Sequence, residues 1–187
     1  MNKFSLKQIA AVAVLAGASV GANATTTDLG TISSSTPTTF TGVIQGAGIG
    51  INDIFTFNFE QPNVGSGYDV VNVPLTFSNG NFNTALATMT LVSNDNGIVG
   101  DFDDHILQST VLPSPGNSSD NLGLRWDQPI TGPAYINITG VTNGSQGGIY
   151  AGAIAAAVVP EPETYAMLLA GLGLMGAVVR RRSRKTS

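Results

Sequence analysis

The chain contains no cysteine among its 187 residues, and only 11% of its residues are charged. Without cysteine there is no disulfide, no cysteine nucleophile, no thiolate metal site and no iron–sulfur cluster. The fold must therefore be held together by packing and hydrogen bonds. Histidine occurs only once, which leaves little opportunity for imidazole chemistry, and tryptophan also occurs once.

Basic residues are almost missing from the middle of the chain. Between residues 25 and 159, Arg125 is the only lysine or arginine, against ten acidic residues, so the formal charge there is −9. A surface of this sign repels phosphate backbones, which argues against nucleic acid as a partner. The stretch is long enough for one domain with one hydrophobic core.

A helical period is also lacking in this middle stretch, where apolar residues alternate with polar ones. The alternating apolar sets are Phe55, Phe57 and Phe59; Val71, Val73, Leu75 and Phe77; Ala85, Ala87, Met89 and Leu91; and Leu122, Leu124 and Trp126. A further strand is predicted over 38–44, and Pro74 predicts an edge strand or a bulge. Turn residues separate the sets, so the sequence predicts an all-β fold, a single antiparallel β-sandwich of jelly-roll or immunoglobulin-like topology.

The N-terminal segment has the pattern of a secretory signal peptide. Lys3 and Lys7 precede an apolar stretch over 9–20, and Ala22-Asn23-Ala24 follows as a small-residue cleavage site. We expect signal peptidase to remove residues 1–24 and leave an ectodomain over 25–159. The alternative is an uncleaved N-terminal anchor.

The C-terminal segment combines an extended tripeptide, a short apolar run and a basic end. Val159-Pro160-Glu161-Pro162 is forced towards extended geometry by its two prolines. The run over 164–179 reaches roughly 24 Å as a helix, against about 30 Å for a bilayer core. It predicts one short transmembrane helix, stopped by the basic residues Arg180, Arg181 and Arg182. A plain tail anchor is the alternative.

This arrangement, over residues 160–187, resembles the PEP-CTERM sorting signal of Gram-negative bacteria. The resemblance implies processing by an exosortase, transient residence in the inner membrane, and delivery to the cell surface or extracellular matrix. It also implies a non-enzymatic structural or adhesive role linked to exopolysaccharide or biofilm matrix. The alternative is a secreted polysaccharide-binding module or weak hydrolase.

The run Ile51-Asn52-Asp53-Ile54-Phe55 is similar to the motif of FxDxF PEP-CTERM proteins, with Ile51 in place of the first phenylalanine. By alternation, Asp53 shares a strand face with Phe55. We expect it to lie at the start of the strand or to cap a turn.

Three further groups of residues are candidates for binding or chemistry. Carboxylate-rich loops bind calcium, which makes Asp95, Asp101, Asp103 and Asp104 candidate ligands, although their spacing is not that of an EF-hand and a solvated acidic loop is the alternative. Trp126 is a candidate for stacking on a sugar ring, with core packing as the alternative. His105 adjoins Asp103 and Asp104 and precedes Ser109, but no catalytic motif surrounds it, so we predict a non-enzyme without a cofactor.

Overall fold

The computed structural model describes residues 22–117, 120–158 and 162–183. The chain divides into two compact units, Met1–Ala157 and Val158–Ser187. The first 21 residues, which hold most of the predicted signal peptide, lie outside the described residues. So do Val159, Pro160 and Glu161 of the predicted sorting motif.

Twelve strands and one long helix form within the described ranges. The strands are β1 Ala22–Asn23, β2 Thr26–Ile32, β3 Thr38–Gln45, β4 Gly50–Phe59, β5 Asn63–Asn72, β6 Leu75–Phe77, β7 Gly80–Phe82, β8 Thr84–Asn94, β9 Asp104–Val111, β10 Asn121–Trp126, β11 Ala134–Thr142 and β12 Gly147–Val158. The helix is α1 Pro162–Ser183. The fold class is thus all-β with one C-terminal helix, as the sequence predicts, and β3 confirms the strand expected over 38–44.

The strands form two six-stranded sheets. The first sheet has the order β1-β4-β11-β8-β9, with β2 also paired to β4; the second has the order β10-β5-β12-β7-β6, with β3 also paired to β12. The chain passes from one sheet to the other at most connections. This layout is a β-sandwich whose inner faces can share one core.

Most strand pairs are antiparallel, but the N-terminal strands are not. β1 and β2 run parallel to β4, with Asn23 beside Ile51 and Thr26 beside Ile54, and β7 is parallel to β12. The predicted antiparallel sandwich is thus confirmed for most strand pairs, and these parallel pairs are the exceptions to it. Between β2 and β4 the chain crosses to β3 in the opposite sheet and back again, so β4 runs in the same direction as β2.

The core is built from the inner faces of both sheets. Phe55 and Phe57 of β4 meet Phe40 of β3 and Tyr68 of β5, with ring centroids 4.3 and 6.0 Å apart. The predicted set Phe55, Phe57 and Phe59 is buried on one face. Leu122 and Leu124 are buried as well, so alternation identified the inner face correctly in β4 and β10.

The predicted apolar face of Val71, Val73, Leu75 and Phe77 is wrong. Val71 is exposed because it lies on the outward side of β5, opposite to Tyr68 and Val70. Leu75 and Phe77 are exposed in the short hairpin of β6 and β7, which follows the end of β5 at Asn72. The inward residues of β5 are Tyr68 and Val70 instead. Pro74 lies just before β6, which is the edge strand of its sheet, as proline predicts.

A β-bulge changes the inward face of β8. Thr139 pairs with Thr88 and Gly140 pairs with Leu86, so Ala87 is the extra residue. The predicted face of Ala85, Ala87, Met89 and Leu91 therefore breaks at the bulge, and Leu86 is fully buried together with Met89 and Leu91. One inserted residue reverses the parity of every residue before it.

Candidate functional site

Asp53 places a carboxylate in the interior of the sandwich. It lies within β4, is 3% exposed, and has the buried residues Ile51 and Phe55 on the same strand face. Thr25 donates from Oγ1 to Asp53 Oδ1 at 2.5 Å and from its main-chain N at 3.3 Å. Tyr150 of β12 donates its hydroxyl proton to Asp53 Oδ2. Three donors thus converge on one buried carboxylate.

Packing holds Tyr150 in position for this contact. Its ring is fully buried and meets Phe55 edge-on, with centroids 6.5 Å apart. Gly42 lies opposite Tyr150 in the ladder, and a Cβ at that position would overlap the tyrosine ring. Burial raises the pKa of Tyr150, and the hydrogen bond to Asp53 acts in the same direction, so the phenol remains a donor at neutral pH.

The expectation that Asp53 starts a strand or caps a turn is wrong. The residue is flanked on both sides by strand and faces the core. The alternation with Phe55 did indicate an inward side chain. What the sequence could not indicate were its partners, because Thr25 and Tyr150 lie 28 and 97 residues away.

The acidic loop between β8 and β9 pairs its carboxylates internally. Asn96 Nδ2 donates to Asp101 at 2.6 Å and to Asp103 at 3.1 Å. A hydrogen bond between the two carboxyls lowers the pKa of Asp101 and raises that of Asp103. Asp104 accepts from the main-chain N of Gly100 at 2.5 Å. The loop is therefore ordered by its own hydrogen bonds.

The calcium ligands predicted in this loop are only partly brought together. Asp95, Asp101 and Asp103 lie between β8 and β9, and Asp104 begins β9. Asp95 accepts from Ser93 at 3.3 Å, whereas Asn96 binds Asp101 and Asp103. Across the described ranges, no three histidine or acidic side chains are grouped so as to hold a metal ion. The amide donors of Asn96 point at the carboxylates that a cation would need. Calcium binding stays a prediction.

Asp104 also connects the loop to β11, two strands away from β9 in the same sheet. Tyr135 of β11 donates its hydroxyl proton to Asp104 Oδ2 at 2.9 Å. Burial raises the pKa of Tyr135 to about 12, and the Asp104 carboxylate adds to the effect. The tyrosine is therefore neutral at physiological pH and acts as a tether for the loop.

Trp126 lies at the end of β10 and is partly buried. Its ring packs against the hydrophobic core, and its Nε1 is buried without a hydrogen-bond partner among the described residues. The geometry favours the core-packing alternative over a ring displayed to solvent. Sugar stacking by Trp126 stays a prediction.

His105 and Ser109 do not form a nucleophilic pair. Both are exposed residues of edge strand β9, and the hydroxyl of Ser109 lies 3.0 Å from that of Thr90. A serine nucleophile needs a histidine within hydrogen-bond reach and a carboxylate behind it. This arrangement has no such chain of contacts between the two residues.

A shallow groove of about 320 Å³ runs along the outer face of the second sheet. Small residues of β5 and β12 form its floor, including Gly65, Gly67 and Ala155. Arg125 and Asp127 stand at its side as an ion pair of 2.6 Å, with side chains 81% and 73% exposed. Both charged groups can exchange this partner for a ligand at little cost, since exposed pairs contribute about 1 kcal/mol or less.

The second unit contains helix α1. Apolar side chains dominate it, and those over 166–176 are all exposed. Among them, Met167 is 76% and Leu174 69% exposed. Pro162 begins the helix, a position where a missing N–H costs little. Apolar surface exposed all round a helix marks a segment that contacts another apolar phase or partner.

The helix itself confirms the sequence prediction for this segment, and Arg180, Arg181 and Arg182 lie in its last turns. Of the helices in the described part of the chain, none is long and apolar enough to cross a membrane. The predicted transmembrane character of α1 is thus not confirmed.

Comparison with known proteins identifies the C-terminal segment. Residues 158–183 match the PEP-CTERM protein-sorting motif, so the chain carries this signal, as its sequence predicts. No curated protein matches the chain. Among solved structures, the pre-peptidase C-terminal domain of collagenase from Bacillus anthracis is similar at 16% identity, covering 71% of this chain and 95% of that one, with a TM-score of 0.31. A score this low adds nothing to the fold assignment, which rests on the two sheets.

Proposed function

We propose that this chain is an exported, non-enzymatic protein that an exosortase recognises through its C-terminal segment and processes near Val159, Pro160, Glu161 and Pro162. The observation that carries the proposal is the sorting-motif match over residues 158–183. Helix α1, with its exposed apolar surface, is the part of that segment suited to a membrane-associated processing step. The basic residues Arg180 to Arg182 then hold its end on the cytoplasmic side.

A proline exchange tests the processing step. In the host cell, Pro160→Ala together with Pro162→Ala should abolish release and leave the protein at its unprocessed mass. The chain offers a matched control in Pro113 and Pro115, which have the same spacing in an exposed loop. Replacing that pair with alanine should leave release unchanged. Normal processing of the 160/162 variant would contradict recognition through these prolines.

The finer part of the proposal is a structural or adhesive role in the surface matrix, next to exopolysaccharide. Three features support it: a disulfide-free sandwich, a surface of strongly negative formal charge, and the open groove beside Arg125 and Asp127. The small residues that line the groove, such as Gly65, Gly67 and Ala155, leave room for a sugar ring against the sheet. A long polysaccharide chain fits an open groove better than it fits an enclosed pocket.

Binding of the host's exopolysaccharide to the purified protein tests this role. Arg125→Gln should weaken binding at least fivefold, because it removes the only guanidinium of the groove. Gln108→Ala serves as the control, since Gln108 is an exposed residue of β9 in the other sheet, away from the groove. No binding by the unaltered protein, or equal binding by the Arg125 variant, would contradict this part of the proposal and leave the sorting step untouched.

A further inference from the structure

Among the residues that the structure describes, the buried carboxylate of Asp53 has hydrogen-bond donors but no cationic side chain. Its partners are Tyr150 and Thr25, and the only lysine or arginine between residues 25 and 159 is Arg125. Arg125 pairs with Asp127 instead. A buried carboxylate without an opposite charge is costly. The folded body therefore presents an anionic site that lacks a counter-ion of its own.

Thr25 stands at a position where a new charge would appear. Ala22-Asn23-Ala24 is the expected signal-peptidase site, so cleavage makes Thr25 the first residue. Its main-chain N then changes from an amide to an α-ammonium group, which is protonated below about pH 8. That nitrogen already lies 3.3 Å from Asp53 Oδ1, which is within the range of an ion pair.

The local backbone is arranged to direct this nitrogen at the carboxylate. The parallel ladder to β4 holds Asn23 beside Ile51 and Thr26 beside Ile54, but it is interrupted at Ala24 and Thr25. The carbonyl of Thr25 still accepts from Ile54 N at 2.7 Å. This contact anchors the residue from its C-terminal side, where signal-peptide removal changes nothing.

We propose that Asp53 is the receptor for the α-ammonium group that signal-peptide cleavage creates at Thr25. The inference rests on the proposed export of the chain and goes beyond it, because it links processing to the stability of the sandwich. An ammonium-to-carboxylate hydrogen bond is stronger than one from a neutral amide. Thr25 is itself exposed, so the ammonium group keeps water on its outer side and loses little hydration.

Acetylation of the α-amino group provides the direct test. The mature chain, residues 25–187 in non-ionic detergent, is prepared once with a free amine and once acetylated at Thr25. Acetylation keeps an N–H donor at Thr25 and removes only the positive charge, so the nitrogen becomes an amide as it is before signal-peptide cleavage. We expect the folding equilibrium constant, followed by Trp126 fluorescence during urea unfolding, to fall about tenfold or more on acetylation. A change below twofold would overturn the proposal.

A substitution assigns the effect to one carboxylate. In Asp53→Asn the difference between free and acetylated chains should disappear. In Asp28→Asn the difference should persist. Asp28 lies three residues after Thr25, is exposed, and accepts hydrogen bonds from Gly30 and Thr56. Loss of the difference in both variants, or in neither, would overturn the assignment to Asp53.

Should Asp53→Asn fail to fold, the unaltered mature protein still decides the question. An NMR titration of the Thr25 amine is expected to give a pKa at least one unit above its ordinary value of about 8. The titratable groups facing this amine are Asp53 on β4 and Tyr150 on β12. An ordinary value would overturn the proposal.

Mass spectrometry of the exported protein separates this inference from the export step. An N-terminus at Thr25 supports the link between cleavage and Asp53. Any other N-terminus overturns that link, while the acetylation experiment still reports whether Asp53 binds the amine. Failure of the Pro160 and Pro162 test would concern only the C-terminal sorting step.

Discussion

Removing the hydroxyl of Tyr150 tests whether the buried carboxylate depends on it. Tyr150→Phe deletes the donor to Asp53 and adds no volume. A hydrogen bond to a charged group contributes about 1.5–3 kcal/mol, so we expect a loss of that size in the free energy of unfolding. For a chain of this length the loss corresponds to a fall in melting temperature of about 3–12 °C.

Tyr68 is a matched control for this substitution. Its side chain is 1% exposed against 0% for Tyr150, and its hydroxyl lies 2.8 Å from that of Ser66, a neutral partner. Tyr68→Phe should therefore cost only about 0.5–1.5 kcal/mol. The assay is urea unfolding followed by the fluorescence of Trp126, the single tryptophan, which packs on the core. Equal losses in the two variants, or a larger one for Tyr68→Phe, would refute the reasoning.

Three further outcomes follow from the packing and the titrating groups. The folded-state pKa of each buried tyrosine lies above the ordinary value near 10, so the contribution of these tyrosines to the free energy of unfolding is intact below about pH 10. The free energy of unfolding should then fall between about pH 10 and 12, and urea unfolding at a series of pH values measures this fall. The residues concerned are Tyr68, Tyr135 and Tyr150. Gly42→Ala should destabilise by about 1–3 kcal/mol or more through overlap with Tyr150, whereas Gly67→Ala, with open space around it, should stay within about 0.5 kcal/mol; equal melting temperatures would contradict this. Leu86→Ala should cost about 2–5 kcal/mol and Ala87→Ser less than about 1 kcal/mol, and the reverse order in thermal melts would place the bulge elsewhere.

The parts of the fold that depend on local sequence were predictable. Alternation in β4 identified the inward phenylalanines, and Pro74 marked the edge strand. The sorting segment was readable for the same reason, since its prolines, apolar run and arginines are contiguous. Each of these features is decided by neighbours only a few residues away.

The parts that failed depend on which strands meet. The bulge at Ala87 reverses the parity of β8, and nothing near it in the sequence marks the extra residue. The partners of Asp53 come from two other strands, in a register that alternation alone does not fix. The partial burial of Trp126 against the core likewise depends on strands that are distant in sequence, and sugar stacking by this residue stays a prediction.

The pairing of β12 with β3 sets the order of events during synthesis and export. Residues 147–154 of β12 pair with residues 38–45 of β3, and β12 also lies between β5 and β7 in its sheet. The second sheet cannot form completely until β12 has been synthesised, so most of its long-range contacts form late. The entropy cost of closing these long loops is therefore incurred when β12 joins the sheet. Since the sorting motif begins at residue 158, the sandwich completes its folding only as that signal arrives.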